Sequence, residues 1–191
     1  MKNEHIKEMW KRQLRPVSTY TAAAVLGEDA GEIEHINLFN KYFKGFSGKI
    51  LEIGPGTGWL AKQILSNYDN VEYTVLDIER YIPTVQRNLI SYRRNVSYIK
   101  SSEYEKIFNN KYDLLIATNC LSETPKYYYT DILNNLSVQS CFIIDYGGPD
   151  EPEFDRIINE WFDGFGRGVT FRNYDMLGAK ENGIPVYIGF R

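Results

Sequence analysis

Three observations predict an α/β fold: a seven-stranded, mostly parallel sheet with helices on both faces and an antiparallel hairpin at its end. From Lys49 onward, short apolar runs recur that are continuous rather than alternating, as strands covered on both faces require. Stretches at helical spacing separate these runs and can serve as crossovers between parallel strands. Two extended segments then follow the last helix, joined by the short, turn-rich "GAKENG", so they should pair as antiparallel neighbours.

The first 47 residues read as a helical N-terminal extension, and residues 48–191 as the sheet domain. In "NEHIKEMWKRQL", Ile6, Met9, Trp10 and Leu14 fall at helical spacing, and Pro16 stops the helix. "AGEIEHINLFNKYFKGF" sets Ile33, Ile36, Phe39 and Phe43 on one face. The expected strands are "KILEI" (49–53), "EYTVLDI" (72–78), "VSYIK" (96–100), "YDLLIAT" (112–118) and "SCFIIDY" (140–146). "WLAKQILSNY", "YIPTVQRNLISYRR", the short "SEYEKIF" and "PKYYYTDILNNL" lie between them as crossovers. "EPEFDRIINEWFDGF" is one more helix, and "GVTFRNYDML" and "IPVYIGFR" form the closing hairpin.

With 191 residues, 43% of them hydrophobic, the chain can bury one substantial core. A net charge of −3 disfavours nonspecific nucleic-acid binding, which needs clustered Lys and Arg. "KRQLR" and "YRR" read as solvated helix faces. Cys120 and Cys141 have neither a disulfide framework nor a metal-ligand spacing, and read as buried thiols in a reducing compartment. The polar N-terminus is no secretory signal and no apolar run reaches a membrane span, so a cytoplasmic protein is expected.

The informative stretch is "ILEIGPGTGWLA", where Gly54, Gly56 and Gly58 follow the first strand. In a doubly wound sheet, ligands bind beyond the carboxyl ends of the strands, and glycine permits the tight turn and close backbone approach. Asp77 closes the second strand 23 positions after Gly54, where a carboxylate can accept from ribose hydroxyls. To this point dinucleotide and S-adenosylmethionine sites are described equally, and "GTGWLA" satisfies G-x-G-x-x-A. Glu52 breaks the tie: a carboxylate repels a diphosphate and suits an ammonium. After the sheet no separate domain is expected that would present a hydride acceptor to NAD.

On these residues the chain resembles the class I S-adenosylmethionine-dependent methyltransferases, whose sheet is Rossmann-like. "LEIGPGTG" is similar to that family's first motif and "VLDIE" to its second, and the resemblance runs from about Lys49 to Arg191. It implies S-adenosyl-L-methionine as cofactor, with Glu52, Gly54 and Gly56 near the methionine moiety and Gly58 completing the loop. Asp77 would hold the ribose, Ile78 would flank the adenine, and Ser101 and Ser102 would sit near its amine. Asn119 and Cys120 would meet the cofactor through backbone groups.

The acceptor should face the loop "ATNCLSETPKYYY". It lacks the Asn/Asp-Pro-Pro-aromatic motif common in base methyltransferases, and "NCLSE" locally resembles sugar O-methyltransferases. A hydroxyl needs a base to take its proton. The two histidines, His5 and His35, are off the post-strand loops. Glu123 is therefore the first candidate and Asp145 the second. The plainer reading of Glu123 is a helix N-terminal charge, and of Ser122 a helix cap. Ser122 and Tyr146 are weak candidates for substrate contact. Tyr127, Tyr128 and Tyr129 point in three directions and read as mixed core and surface. "DYGGPDEPEFD" reads as a solvated turn, with a mobile rim or a divalent-metal site as alternatives; no metal is expected. The competing functions are N-methylation of a small molecule, RNA methylation, a cofactor-binding but noncatalytic interaction module, and an NAD-dependent oxidoreductase. Trp10 and Tyr20 could lid the pocket or pack on the sheet.

Overall fold

A computed structural model describes residues 30–118, 120–145, 151–173 and 184–191. The expected helix over 3–14, Trp10, Tyr20, Asn119, Tyr146, the Gly147-Gly148 pair and the 178–183 turn lie outside the described residues.

Helix α1 (Ala30–Tyr42) leads into β1 (Gly48–Ile53), followed by α2 (Trp59–Asn67), β2 (Val71–Asp77), α3 (Ile82–Asn88) and β3 (Val96–Lys100). Then come β4 (Tyr112–Thr118), α4 (Lys126–Asn135), β5 (Val138–Ile144), α5 (Glu151–Phe162), β6 (Arg167–Asn173) and β7 (Ile184–Phe190). The strands form a seven-stranded sheet in the order β3-β2-β1-β4-β5-β7-β6. The first five are parallel to one another, while β7 runs antiparallel to both β5 and β6. The expected sheet and hairpin are thus present.

Alternation along each strand splits the core into two layers. Ile50, Leu114, Ile116, Phe142 and Ile144 face α1, α2 and α3, meeting Phe39, Leu60, Ile64 and Val85. Leu51, Leu115, Cys141 and Ile143 face the other way, against Tyr128, Tyr129 and Ile132 of α4 and Phe154 and Ile158 of α5. Burying each such side chain contributes about 1.5–3 kcal/mol before entropy is charged against it. The expected apolar face of α1 is buried at Ile36, Phe39 and Phe43, with Phe39 edge-on to Phe142 at 5.9 Å. Of the three consecutive tyrosines, Tyr128 and Tyr129 are core and Tyr127 is half-buried.

The structure refines two crossovers. "SEYEKIF" lies within a 3-10 segment, Ser101–Asn109, kinked at Glu103. The expected helix over 81–94 stops at Asn88 and continues as a 3-10 turn, Ile90–Tyr92. No helix among the described residues is long and apolar enough to cross a membrane.

Candidate active site

The strand order reverses between β1 and β4, and the crevice beyond their carboxyl ends is where an open α/β sheet receives a ligand. The glycine loop leaves β1 there. Gly54 donates its N–H to the Leu76 carbonyl at 2.8 Å and adopts φ +65°. An added Cβ would stand 2.6 Å from Cys120 Cβ, so this position requires glycine both for its backbone angle and for the close approach of the β4 loop. Gly58, at φ +77°, is the residue before α2, and Asn88 Nδ2 ties α3 to the loop by donating to the Thr57 carbonyl at 2.8 Å.

Glu52 is 1% exposed and lies on the α2 side of the sheet with Ile50. Its Oε2 accepts from the Tyr73 hydroxyl at 2.9 Å, while Oε1 is buried without a hydrogen-bond partner. Burial, assisted by the charge of Asp77, raises its pKa to about 8 despite the Tyr73 hydrogen bond. Glu52 is therefore protonated at neutral pH, and the fixed charge that the sequence suggests is a conditional one. Asp77 resembles it: Oδ1 accepts the Ile78 N–H at 2.7 Å, Oδ2 is buried without a partner, and burial raises its pKa to about 7.

Ser101 and Ser102 do not stand alone. Ser101 Oγ and the Ser102 N–H each donate to Glu79 at 3.3 Å. Burial works to raise the Glu79 carboxyl, but these hydrogen bonds outweigh it and its pKa falls below the ordinary value. Glu79 completes "VLDIE" and went unassigned in the sequence reading. Tyr73 went unassigned too, because its partnership with Glu52 depends on strand register.

Across the crevice, Cys120 Sγ donates to the Ile53 carbonyl at 2.8 Å. Burial pushes its thiol well above the ordinary range, with further upward contributions from Asp145, Asp77, Glu123 and Glu52. Successive tight turns follow, the Glu123 N–H donating to the Cys120 carbonyl at 3.2 Å and the Thr124 N–H to that of Leu121 at 3.0 Å. Asp145, 1% exposed, accepts the Ser122 N–H at 3.1 Å on one oxygen and the Ser122 hydroxyl on the other. The capping expectations for Ser122 and Glu123 are corrected: α4 begins at Lys126 with Pro125 at its N-cap, and no acidic residue occupies its first turn. Glu123 instead stands exposed at the mouth, its carboxyl raised by desolvation and then by Asp145. Ile78 is buried at the end of β2.

The structure therefore gathers Glu52, Gly54, Asp77, Cys120, Ser122, Glu123 and Asp145 around one crevice. A nucleoside bearing an amino acid fits this set, since buried Asp77 Oδ2 and Glu52 Oε1 have no partner, and an ammonium could take the place of the proton that Glu52 holds at neutral pH. Among the described residues no group of His, Cys, Asp and Glu could hold a metal ion.

The model of the methyltransferase small domain matches residues 29–135. No curated protein matches the chain. Among solved structures, the CurJ carbon methyltransferase superposes with a TM-score of 0.62 at 20% identity, covering 89% of this chain and 57% of that one. This chain thus spans little more than half the length of that relative. The N-methyltransferase NodS from Bradyrhizobium japonicum, solved with S-adenosylhomocysteine, gives 0.60 at 14% identity, covering 92% of this chain and 98% of NodS. The methyltransferase domain of bacterial CtHen1-CN gives 0.61 at 11% identity, over 84% and 97% of the two chains. At these identities the likeness is one of fold.

Proposed function

The chain belongs to the methyltransferase small domain family, whose methyl donor is S-adenosylmethionine, and from that premise we propose that it methylates a hydroxyl oxygen of a sugar or similar small polar acceptor. The observation that carries this reading is Glu123: an exposed carboxylate at the crevice mouth whose proton affinity is raised by its surroundings. A group tuned upward from the ordinary carboxylate range is better matched to taking a proton near neutral pH.

The donor, when bound, supplies an electrophilic methyl on a sulfonium. Asp77 would accept from the ribose hydroxyls and Glu52, once its proton is released, from the ammonium, while Gly54 and Gly56 would let the backbone approach closely. Ile78 would flank the adenine, and Glu79 holds Ser101 and Ser102, which would sit near its amine. Glu123 takes the acceptor's proton. Asp145, bonded by Ser122 through both oxygens, holds the β4 loop so that Glu123 stays at the mouth, and its charge keeps Glu123 basic. Alignment of the acceptor oxygen with the methyl supplies much of the acceleration.

Two measurements test the reading. Calorimetric titration should show binding of S-adenosylhomocysteine and none of NAD. Transfer of tritiated methyl from the donor to a panel of glycosides and amines should favour glycosides. Glu123→Gln should then slow turnover by about a hundredfold while sparing S-adenosylhomocysteine binding. Undiminished turnover in that variant would remove Glu123 as the base.

A further inference from the structure

A recess of about 210 Å³, with polar side chains set beside Phe171 and Val186, opens between α5 and the β6–β7 hairpin. Asp155 and Asn159 reach it from one side of α5, since residues four apart share a helix face. From the hairpin come Thr170, paired with Tyr187 across the antiparallel ladder, and Arg172, paired with Pro185. The recess adjoins the active site. The Pro185 carbonyl accepts the Asp145 N–H at 3.2 Å, and Asp145 is the residue that holds Ser122.

Its chemistry is selective. Arg172 Nη2 and Asp155 Oδ2 face each other at 3.7 Å, an ion pair beyond hydrogen-bond reach. An entering anion would have to contend with Asp155, and an ammonium with Arg172. A wholly apolar group would pack on Phe171 and Val186 but strip water from both charges. A hydroxyl suits both at once, accepting from the guanidinium and donating to the carboxylate. Burial and then the charge of Asp155 raise the Tyr187 phenol to about 12, so it stays a donor at neutral pH. Asn159 and Thr170 add neutral donors and acceptors. The volume is small beside drug-sized pockets and suits a single ring.

We propose that this recess is the acceptor's recognition site, in which Arg172 and Asp155 together read neighbouring hydroxyls of a sugar ring. The inference rests on the O-methylation reading above and adds the surface that selects the substrate. The test uses saturation-transfer NMR on the full chain with S-adenosylhomocysteine bound. The probes are methyl glycosides of glucose, mannose, galactose and rhamnose, each beside its monodeoxy analogues. At least one glycoside should bind. Asp155→Asn and Arg172→Gln should each raise its dissociation constant about tenfold or more, the scale of a lost hydrogen bond to a charged group. Both variants should keep wild-type affinity for S-adenosylhomocysteine, which reports an intact fold. In both, the penalty for one deoxy position should disappear, a change that loss of packing alone would not produce. Absence of glycoside binding, or binding indifferent to both variants, overturns the inference. The O-methylation reading is scored separately by tritium transfer. Transfer to a glycoside with KM unaltered in both variants sinks the recess and keeps the chemistry. Variant-sensitive binding with methyl passing only to amines keeps the recess and sinks the chemistry.

Discussion

The two halves of the crevice handle buried carboxylates in opposite ways. On the β1–β2 side, Glu52 and Asp77 each keep one buried oxygen without a hydrogen-bond partner, and burial holds both pKa values far above the ordinary range. On the β4–β5 side, Asp145 is as deeply buried, yet both its oxygens accept from Ser122. A buried polar group left unsatisfied costs roughly 1–3 kcal/mol, so the first half carries a penalty that a bound ligand would relieve. The second half is completed by the chain itself. On the reading proposed above, one side is the receptor for the donor's ammonium and the other the scaffold that positions the reacting groups.

The sharpest way to break this contrast is at the loop between the halves. Gly54→Ala places a methyl against Cys120 and holds alanine in the left-handed region, costs of about 1–3 and 1–2 kcal/mol. Calorimetry should show S-adenosylhomocysteine affinity down by about a hundredfold or more, with partial recovery when Cys120→Gly is added. Failure of the second substitution to restore binding would mean that the two halves do not press on each other there.

A smaller effect is expected at the receptor side. Asp77→Ala should weaken S-adenosylhomocysteine binding by about 1–3 kcal/mol, the scale of hydrogen bonds to a charged group. Ser122→Ala, on the scaffold side, should leave that affinity unchanged. Equal losses from both would erase the distinction between the halves.

The smallest effect is one of stability. The folded-state pKa of Glu52 stands near 8 against an ordinary 4.5, so the folded protein holds a proton that the unfolded chain releases between those values. Stability therefore falls as pH rises through that window, with the loss complete above about pH 8. Glu52→Gln removes this fall. Its unliganded Tm should match wild type near pH 5 and exceed it by several degrees near pH 9, at the expense of cofactor affinity. His35, whose pKa burial lowers to about 4, works in the opposite direction below about pH 6.5 and is common to both proteins. Coincident melting curves at pH 9 would show that Glu52 is not strained by its burial.

Much of this was legible from residue order. The strand "YDLLIAT" falls where its apolar run places it, because continuous burial on two faces leaves a pattern that needs no partner to read. The half-buried edge strand "VSYIK" falls where its own shorter run does. The glycine loop and Asp77 are also local signals. What escaped depends on pairs remote in sequence. Tyr73 meets Glu52 through the parallel register of β1 and β2, Glu79 collects Ser101 and Ser102 across 22 and 23 positions, and Ser122 meets Asp145 across 23. Register and loop packing settle these contacts. The single-residue cue was capping chemistry, and at Ser122 and Glu123 it pointed to a helix that begins later, at Lys126.

Cys120 is where this arrangement meets a hazard. A sulfonium methyl donor is an alkylating agent, and a thiolate beside it would be methylated in place of any acceptor. Here the sulfur keeps its hydrogen, donated to the Ile53 carbonyl, while burial and four surrounding carboxyl groups suppress its ionisation. On the proposed reading, the same acids that would hold the cofactor thereby shield the thiol from its reagent.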